Sequence, residues 1–216
     1  MWTYHPDLLA GPVPRYTSYP TAAQFSDAVG ADAMLKRIDQ IAQGTPVSLY
    51  LHIPYCHDIC WYCGCNTGAA NRSHRLAAYV DALEQEIAAT AQRLGGRGHI
   101  TRIAFGGGSP NAIAPVEFLR LIDALTIQFE IDDPVFSIEL DPRTMSREWA
   151  QVLAAVGVER ASLGVQTFAE HCQQAIGRVQ PEELIVQTVD WLREAGVSSI
   201  NFDLMYGLPG QTLDDL

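Results

Sequence analysis

The chain has 216 residues, of which 48% are hydrophobic, so it is long enough to bury a substantial core. It carries 14 Lys and Arg against 25 Asp and Glu, a formal net charge of −11, which argues against non-specific binding to nucleic acid. The sequence contains no uninterrupted apolar run long enough to span a bilayer, so we expect no membrane span.

Strand-like and helix-like segments alternate along the chain. The apolar run from Val47 to Ile53 predicts a first strand, and a cysteine-rich loop follows it. A helix is predicted from about Ser73 to Gly95, because six apolar residues fall on one helical face. These residues are Leu76, Val80, Leu83, Ile87, Ala91 and Leu94.

Four more strands and three more helices are predicted after this helix. The helices begin near Pro115, Ser146 and Pro181, since proline and serine are common at helix starts. The strands are Ile100 to Phe105, Val135 to Leu140, Arg160 to Gly164 and Ser198 to Met205.

This alternation predicts an α/β fold with parallel strands, because parallel neighbours need a long return connection that a helix supplies. We expect a full or partial TIM-type (β/α) barrel, whose chemistry gathers at the carboxyl ends of the strands. Each predicted strand has a candidate functional segment at or just after its carboxyl end. In chain order these segments are the cysteine loop, Gly106 to Pro110, Glu139, Gln166 and Asp203.

Three cysteines, Cys56, Cys60 and Cys63, lie within eight residues of the loop. Three thiolates can hold three irons of a cubane iron-sulfur cluster and leave the fourth iron open to a small molecule. The alternative is a closed zinc site, with Cys65, His57 or His52 as the fourth ligand. The sequence does not begin with an apolar signal segment, so the clustered cysteines indicate a reducing compartment and metal binding rather than disulfides.

The other candidate residues have structural interpretations as well. The glycine triplet can be a tight turn or can bring bare backbone close to a ligand. Glu139 and Asp203 could pair with Arg178 or Arg143, or accept hydrogen bonds from a ligand. Gln166 could be a satisfied core amide, and Tyr50 a packing residue.

Together these residues resemble the radical S-adenosylmethionine (SAM) enzymes and, within them, the oxygen-independent coproporphyrinogen III oxidase (dehydrogenase) family. Two features resemble the oxidase more than its haem chaperone-like relatives: Cys65 after Cys63, and the leader from Arg15 to Thr21. The matching motifs are Tyr50 to Cys56 with the cysteine loop, Gly106 to Pro110, Glu139 to Pro142, Gly164 to Gln166 and Asp203 to Pro209.

The resemblance implies a 4Fe-4S cluster on Cys56, Cys60 and Cys63, without Cys65 as a ligand. It implies two SAM molecules. Residues Tyr50, Tyr62, Gly107 and Glu139 match contacts of the first molecule, and Gly108, Ser109, Gln166, Arg178 and Asp203 match contacts of the second. Ser109 stands where the family more often has threonine.

The implied reaction converts two propionate side chains of coproporphyrinogen III to vinyl groups through a 5'-deoxyadenosyl radical, giving protoporphyrinogen IX. It requires an electron donor protein or another reductant, and the expected location is the cytoplasm. Arg15 is a hypothetical contact for the substrate carboxylates. A haem chaperone-like role, another radical SAM activity and a cluster-binding fragment without turnover remain as alternatives.

The resemblance also implies a domain organisation. Residues 1–46 are expected to form an N-terminal, substrate-side leader, and residues 47–216 a partial barrel domain. The family continues beyond the last predicted strand with a further barrel strand and a C-terminal helical domain, so the sequence is expected to be truncated relative to the family.

Overall fold

The computed structural model describes residues 24–216. The chain divides into a unit that ends at Gln40 and a second unit, Ile41–Leu216. The described part of the first unit contains one helix, α1 (Ala31–Asp39), which the sequence analysis did not predict. Arg15 and the leader motif lie outside the described residues, and the assignment of residues 1–46 to the substrate side stays a prediction.

The second unit is built on one parallel sheet. Helical crossovers connect successive strands of this sheet in the same direction, and β1, β4 and β5 are rich in β-branched and aromatic residues. The strands are β1 (Thr45–Ile53), β2 (Tyr55–Cys56), β3 (Gly68–Ala69), β4 (Gly98–Gly107), β5 (Ile131–Leu140), β6 (Arg160–Gln166) and β7 (Ser199–Leu204).

Five of these strands form the main sheet in the order β1-β4-β5-β6-β7, and every neighbouring pair is parallel. The short strands β2 and β3 form a separate parallel pair. The predicted α/β class and partial (β/α) barrel are therefore confirmed. The cysteine loop begins in β2, directly after β1 ends, so it lies at the carboxyl end of the sheet.

Helices connect the strands and start or stop where the sequence signals predict. Ser146 caps the fourth helix by accepting a hydrogen bond from the Trp149 N–H, at 3.2 Å. Gly95 ends the second helix in a left-handed conformation, with φ of 59°. The helices of this unit are α2 (Ser73–Leu94), α3 (Pro115–Gln128), α4 (Arg147–Val156), α5 (Glu170–Ala175) and α6 (Glu182–Glu194).

The core lies between the sheet and these helices. Phe105 on β4 meets Phe118 on α3 at a ring distance of 4.8 Å, and Phe118 meets Trp149 on α4 at 5.2 Å. All three side chains are at most 3% exposed. This buried apolar layer holds the strands in place, so the opposite face of the sheet is left for polar groups.

The register of the parallel strands aligns polar side chains on that second face. Glu139 on β5 lies opposite Ser162 on β6, and Ser162 lies opposite Asn201 on β7. Tyr50 on β1 lies opposite Ala104 on β4. Because side chains alternate between the two faces, these residues line a cleft of about 340 Å³ on the concave side of the sheet.

No helix among residues 24–216 is long and apolar enough to cross a bilayer. No disulfide joins any of the five cysteines, all of which fall in this described part.

Candidate active site at the carboxyl ends of the strands

The cysteine loop is fastened at several points by main-chain hydrogen bonds. The Ala70 N–H donates to the Cys56 carbonyl at 2.8 Å, and the Cys63 N–H donates to the Cys60 carbonyl at 3.1 Å. The Trp61 N–H donates to the Ile176 carbonyl at 3.0 Å, which ties the loop to the segment after α5. The loop is therefore held in shape by the surrounding fold.

The three cysteines lie in different environments along this loop. Cys60 is buried, whereas Cys56 and Cys63 are half-buried and Cys65 is exposed. The Thr67 hydroxyl donates a hydrogen bond to the Cys56 sulfur at 3.4 Å. Burial raises the pKa of the Cys56 thiol, and the Thr67 hydrogen bond opposes that shift.

In residues 24–216, the side chains of His171, Cys172 and Asp215 form a group whose candidate metal-ligating atoms lie within 4.8 Å of one another. The three thiolates of the cysteine loop could instead each bind a different metal atom, as in a cubane iron-sulfur cluster.

His52 is engaged on both ring nitrogens. Its Nε2 lies 3.3 Å from the Asn66 carbonyl, and its Nδ1 lies 3.1 Å from the Tyr50 hydroxyl. A carbonyl can only accept, so Nε2 carries the proton and Nδ1 accepts from Tyr50. His52 is thus a support for Tyr50 and the cysteine loop, which argues against it as a zinc ligand.

Tyr50 and Glu139 converge on the glycine turn that follows β4. A Cβ atom at Gly106 would lie 2.7 Å from the Glu139 carboxylate and 2.9 Å from the Tyr50 hydroxyl, so a side chain here would displace both groups. The Tyr50 ring is 57% exposed on the concave side. Its partial burial, followed by the Glu139 charge, raises the pKa of the Tyr50 phenol.

Gly107 adopts a backbone conformation that few other residues tolerate, with φ of 118°. Its N–H donates to the Glu139 carboxylate at 3.1 Å. The next two N–H groups turn inward: Gly108 donates to the Ile53 carbonyl at 2.9 Å, and Ser109 donates to the Tyr55 carbonyl at 2.8 Å. The turn therefore orients Glu139 and locks the cysteine loop onto β4.

Ser109 is buried, and its hydroxyl donates to Asn111 Oδ1 at 2.6 Å. Asn111 in turn donates to the Asp141 carbonyl at 2.9 Å and accepts from the Asp141 N–H at 3.0 Å. Ser109 therefore belongs to a hydrogen-bond network that links the glycine turn to the end of β5. Its predicted contact with a cofactor stays a prediction.

Gln166 ends β6 in the left-handed region, with φ of 67°. For a non-glycine residue this conformation is uncommon and occurs often at functional sites. Its carbonyl accepts from the Met205 N–H at 2.8 Å, across a register shift between β6 and β7. The strand end is thus shaped to present the Gln166 side chain near the carboxyl edge.

Asp203 lies on the edge strand β7 with both carboxylate oxygens engaged. Ser162 donates to Oδ2 at 3.0 Å, and the Asn201 amide donates to Oδ1 at 2.9 Å. The sequence analysis missed Ser162 and Asn201. Asn201 could have been found, because residues two apart on a strand share a face, whereas only the register of β6 and β7 brings Ser162 to Asp203. The Asp203 side chain remains exposed on the concave side.

Arg178, predicted to contact a cofactor, is 6% exposed and forms an ion pair with Asp141 at 3.1 Å. Arg143 pairs with the same carboxylate at 2.6 Å. The structural alternative, in which Glu139 and Asp203 pair with these arginines, is not observed in residues 24–216, where Asp141 is the partner of both. The signal for Asp141 was present in the sequence, as the residue directly after β5.

Tyr62 is half-buried and packs against an apolar cluster of Cys172, Ile176 and Leu208. Its burial, only partly offset by the Arg178 charge, raises the pKa of the phenol well above its usual range. Tyr62 therefore serves at least as the side chain that seats the cysteine loop on α5. Its predicted contact with SAM stays a prediction.

Comparison with known proteins gives consistent matches. The family model described as the Radical SAM superfamily matches residues 50–216. Oxygen-independent coproporphyrinogen III oxidase of Bradyrhizobium diazoefficiens is 44% identical over 93% of this chain, and the Escherichia coli (strain K12) protein of that name is 42% identical over 92%. The chain spans 45% and 43% of these two relatives, respectively.

Among solved structures, coproporphyrinogen III oxidase from Escherichia coli, described as a radical SAM enzyme, superimposes with a TM-score of 0.85 at 41% identity. That match covers 93% of this chain and 46% of the solved one. The native enzyme anSMEcpe with bound AdoMet gives a TM-score of 0.52 at 16% identity, which supports the fold alone.

Proposed function

Because the chain belongs to the Radical SAM superfamily, we propose that it forms the cluster-binding portion of an oxygen-independent coproporphyrinogen III oxidase. In this proposal two propionate side chains of coproporphyrinogen III become vinyl groups, and the product is protoporphyrinogen IX. Each propionate loses one hydrogen atom to the 5'-deoxyadenosyl radical, one electron to a one-electron acceptor, and carbon dioxide. The relatives that support this substrate extend beyond the chain, so the substrate itself is part of the proposal.

One observation carries the proposal. The loop that holds Cys56, Cys60 and Cys63 leaves the carboxyl end of β1, beside the glycine turn and the Tyr50 and Glu139 side chains. In (β/α) barrels this edge is where catalytic groups from different strands meet. Tyr50 and Glu139 also line the cleft on the concave side, so a three-cysteine centre at that edge would lie next to two of the cleft's polar side chains.

The donor set suits a 4Fe-4S cluster. Three cysteines in one fastened loop supply three thiolates, and two guanidinium groups lie beside one of their sulfurs to offset negative charge. When bound, the cluster and SAM supply a one-electron cleavage that generates a radical able to remove a hydrogen atom from the substrate. The residues of the chain position these groups and keep water away from them.

Residues at and beside the glycine turn would contact the first SAM molecule. The Glu139 carboxylate can accept from an ammonium group or from ribose hydroxyls, and the Gly107 N–H orients that carboxylate. The Tyr50 hydroxyl lies next to it on the cleft wall. We assign these residues, together with Tyr62, to the first molecule.

A second SAM molecule is a further part of the proposal, with contacts from Gly108, Ser109, Gln166, Arg178 and Asp203. Two features support this group. Gln166 is held in an uncommon left-handed conformation at the strand end, and Asp203 presents a carboxylate on the exposed concave face. The buried Arg178 and Ser109 would act by shaping the floor of the site.

The reaction needs an electron donor, either a protein or another one-electron reductant. We propose a reducing, cytoplasmic setting for it. The support is that no disulfide joins any of the five cysteines and that a cluster with an open iron requires protection from oxidation.

The proposal is tested by anaerobic reconstitution of the chain with iron and sulfide, with matched cysteine variants. Cys60→Ala is expected to abolish the broad visible absorption of the cluster and the reductive cleavage of SAM. Cys65→Ala, which changes the neighbouring exposed thiol, is expected to retain both. Equal cluster content in the Cys60→Ala variant and the unchanged protein would overturn the ligand assignment.

The proposed substrate is tested by an anaerobic assay with reductant, SAM and coproporphyrinogen III. Formation of protoporphyrinogen IX is the expected result. Cleavage of SAM with no protoporphyrinogen formed would contradict the proposed substrate.

A further inference from the structure

A buried trio of charged side chains lies behind the cysteine loop. Asp141 follows β5 and receives both arginines: Arg143 through contacts of 2.6 to 3.1 Å, and Arg178 through contacts of 3.1 and 3.2 Å. The side chains are 12% exposed for Arg143, 8% for Asp141 and 7% for Arg178. The trio is therefore largely withdrawn from water.

The charges within the trio do not balance. Two guanidinium groups face one carboxylate, which leaves a net positive charge in a region of low dielectric constant. A buried charge of this kind is costly unless a group of opposite sign lies beside it. The trio is therefore expected to have an anionic neighbour.

Two further groups near Arg143 can carry negative charge, Cys60 and Asp58, and of these only Cys60 is buried. The Cys60 sulfur lies 3.3 Å from Arg178 NH1 and 3.6 Å from Arg143 NH2. A thiolate at this position would bring the set of four side chains to neutrality. Among the three loop cysteines, Cys60 is the buried one, so it depends most on such compensation.

The Arg178 guanidinium is held beside Cys60 by hydrogen bonds within the chain. Its Nε and NH2 donate to the Gly164 carbonyl at 3.0 and 2.5 Å, and NH2 also donates to Asp141. NH1 donates to Asp141 and to the Cys60 sulfur. All five N–H groups of the side chain are thus directed at acceptors within the chain.

We propose that Arg143, Asp141 and Arg178 are positioning residues that orient Cys60 and raise the reduction potential of the metal centre it holds. This inference rests on the proposed function, in that it takes the loop cysteines to be cluster ligands. Reduction adds one electron from an external one-electron reductant and makes the centre more negative. Positive donors at a ligand sulfur stabilise the reduced form and so favour that step.

The test is a redox titration of the anaerobically reconstituted chain without SAM, followed by electron paramagnetic resonance (EPR). Arg143→Gln removes one positive donor, and we expect it to lower the reduction equilibrium constant about tenfold, which is about 59 mV for a one-electron couple. Asp141→Asn removes the negative member, and we expect a shift of the opposite sign. A merely structural role would not give opposite signs.

Two further variants keep the test decisive if Asp141→Asn does not fold. Arg143→Lys retains the positive charge, and we expect a potential close to that of the unchanged protein, in contrast to Arg143→Gln. Arg120→Gln removes an arginine from an ion cluster on the outer helices and is expected to leave the potential unchanged.

The outcomes separate this inference from the proposed function. If the unchanged protein takes up no cluster, the proposed function fails. If it binds a cluster and cleaves SAM while Arg143→Gln and Arg143→Lys give the same potential as the unchanged protein, the tuning role is overturned and the proposed function stands.

Discussion

Two arginine clusters in this molecule use the same chemistry in opposite surroundings. Arg120, on α3, contacts Asp81, Glu84 and Glu117 at 2.6 to 2.9 Å on the outer helices, and its side chain is 38% exposed. Three carboxylates outnumber one cation there, and water can solvate the excess charge.

Behind the cysteine loop the ratio is reversed and water is largely absent. Two arginines share the buried Asp141, and the excess positive charge faces the Cys60 sulfur. The comparison teaches that the number of ion pairs does not measure their importance. An excess of buried charge must be neutralised by a nearby group of opposite sign, whereas an excess of exposed charge is solvated by water.

The largest effect is expected for Asp141→Asn. This change leaves two buried guanidinium groups without their shared carboxylate, and we expect a loss of about 3–5 kcal/mol in the free energy of unfolding. Urea unfolding of the metal-free protein measures it. Asp81→Asn is the matched control in the exposed cluster, and an equal loss in both variants would break the comparison.

The pH dependence of that loss gives a second measurement. Burial alone would raise the pKa of Asp141, but the hydrogen bond from Arg143 and the charges of both arginines hold it below its usual value. A lowered folded-state pKa stabilises the fold above the unfolded-state pKa of about 4. That stabilisation disappears as the pH falls further, through the folded-state pKa.

The difference in stability between the unchanged protein and Asp141→Asn should therefore be constant from about pH 8 to pH 5 and shrink below about pH 4. Urea titrations across this range measure it. A difference that already shrinks between pH 7 and pH 5 would contradict the assignment of a lowered pKa to Asp141.

A smaller effect is expected for Gly107→Ala at the carboxyl edge of the sheet. The φ of 118° disfavours any side chain, and a Cβ would lie 2.8 Å from the His52 ring. We expect a loss of about 1–3 kcal/mol. Gly157→Ala is the control, because Gly157 ends α4 with a left-handed backbone but has open space around it. An equal loss at both positions would mean that the His52 contact contributes nothing.

The smallest effect is expected for Arg120→Gln. Its ion pairs are exposed and screened by salt, so we expect no measurable change in the urea midpoint at 0.5 M salt and at most a slight decrease at low salt. A loss as large as that of Asp141→Asn would contradict the distinction between the two clusters.

Much of the fold could be predicted because local signals and tertiary packing agree. The apolar runs of β1 and β4 to β7 and the signals at Pro115, Ser146 and Gly157 each mark an element that the structure contains. Because catalytic groups of (β/α) barrels gather at the carboxyl ends of the strands, the cysteine loop, the glycine turn and Glu139 could be predicted to lie close together. Helix α1 was missed although Ala31–Asp39 has apolar and charged residues at helical spacing, and none of its side chains is buried.

The details of the site could not be predicted in the same way. Asp141 and Arg178 are 37 residues apart, and Asp141 entered the sequence analysis only as part of the motif from Glu139 to Pro142. Ser162 meets Asp203 only through the register of β6 and β7. Such contacts depend on three-dimensional alignment, which spacing along the chain does not reveal.

The proposed function depends most on a three-cysteine cluster with one open iron. The most direct measurement is the EPR spectrum of the reduced, reconstituted chain before and after addition of SAM. We predict a 4Fe-4S signal that changes when SAM is added, because the cofactor occupies the open iron. A protein that binds a single zinc ion, or a cluster signal that SAM leaves unchanged, would contradict the account.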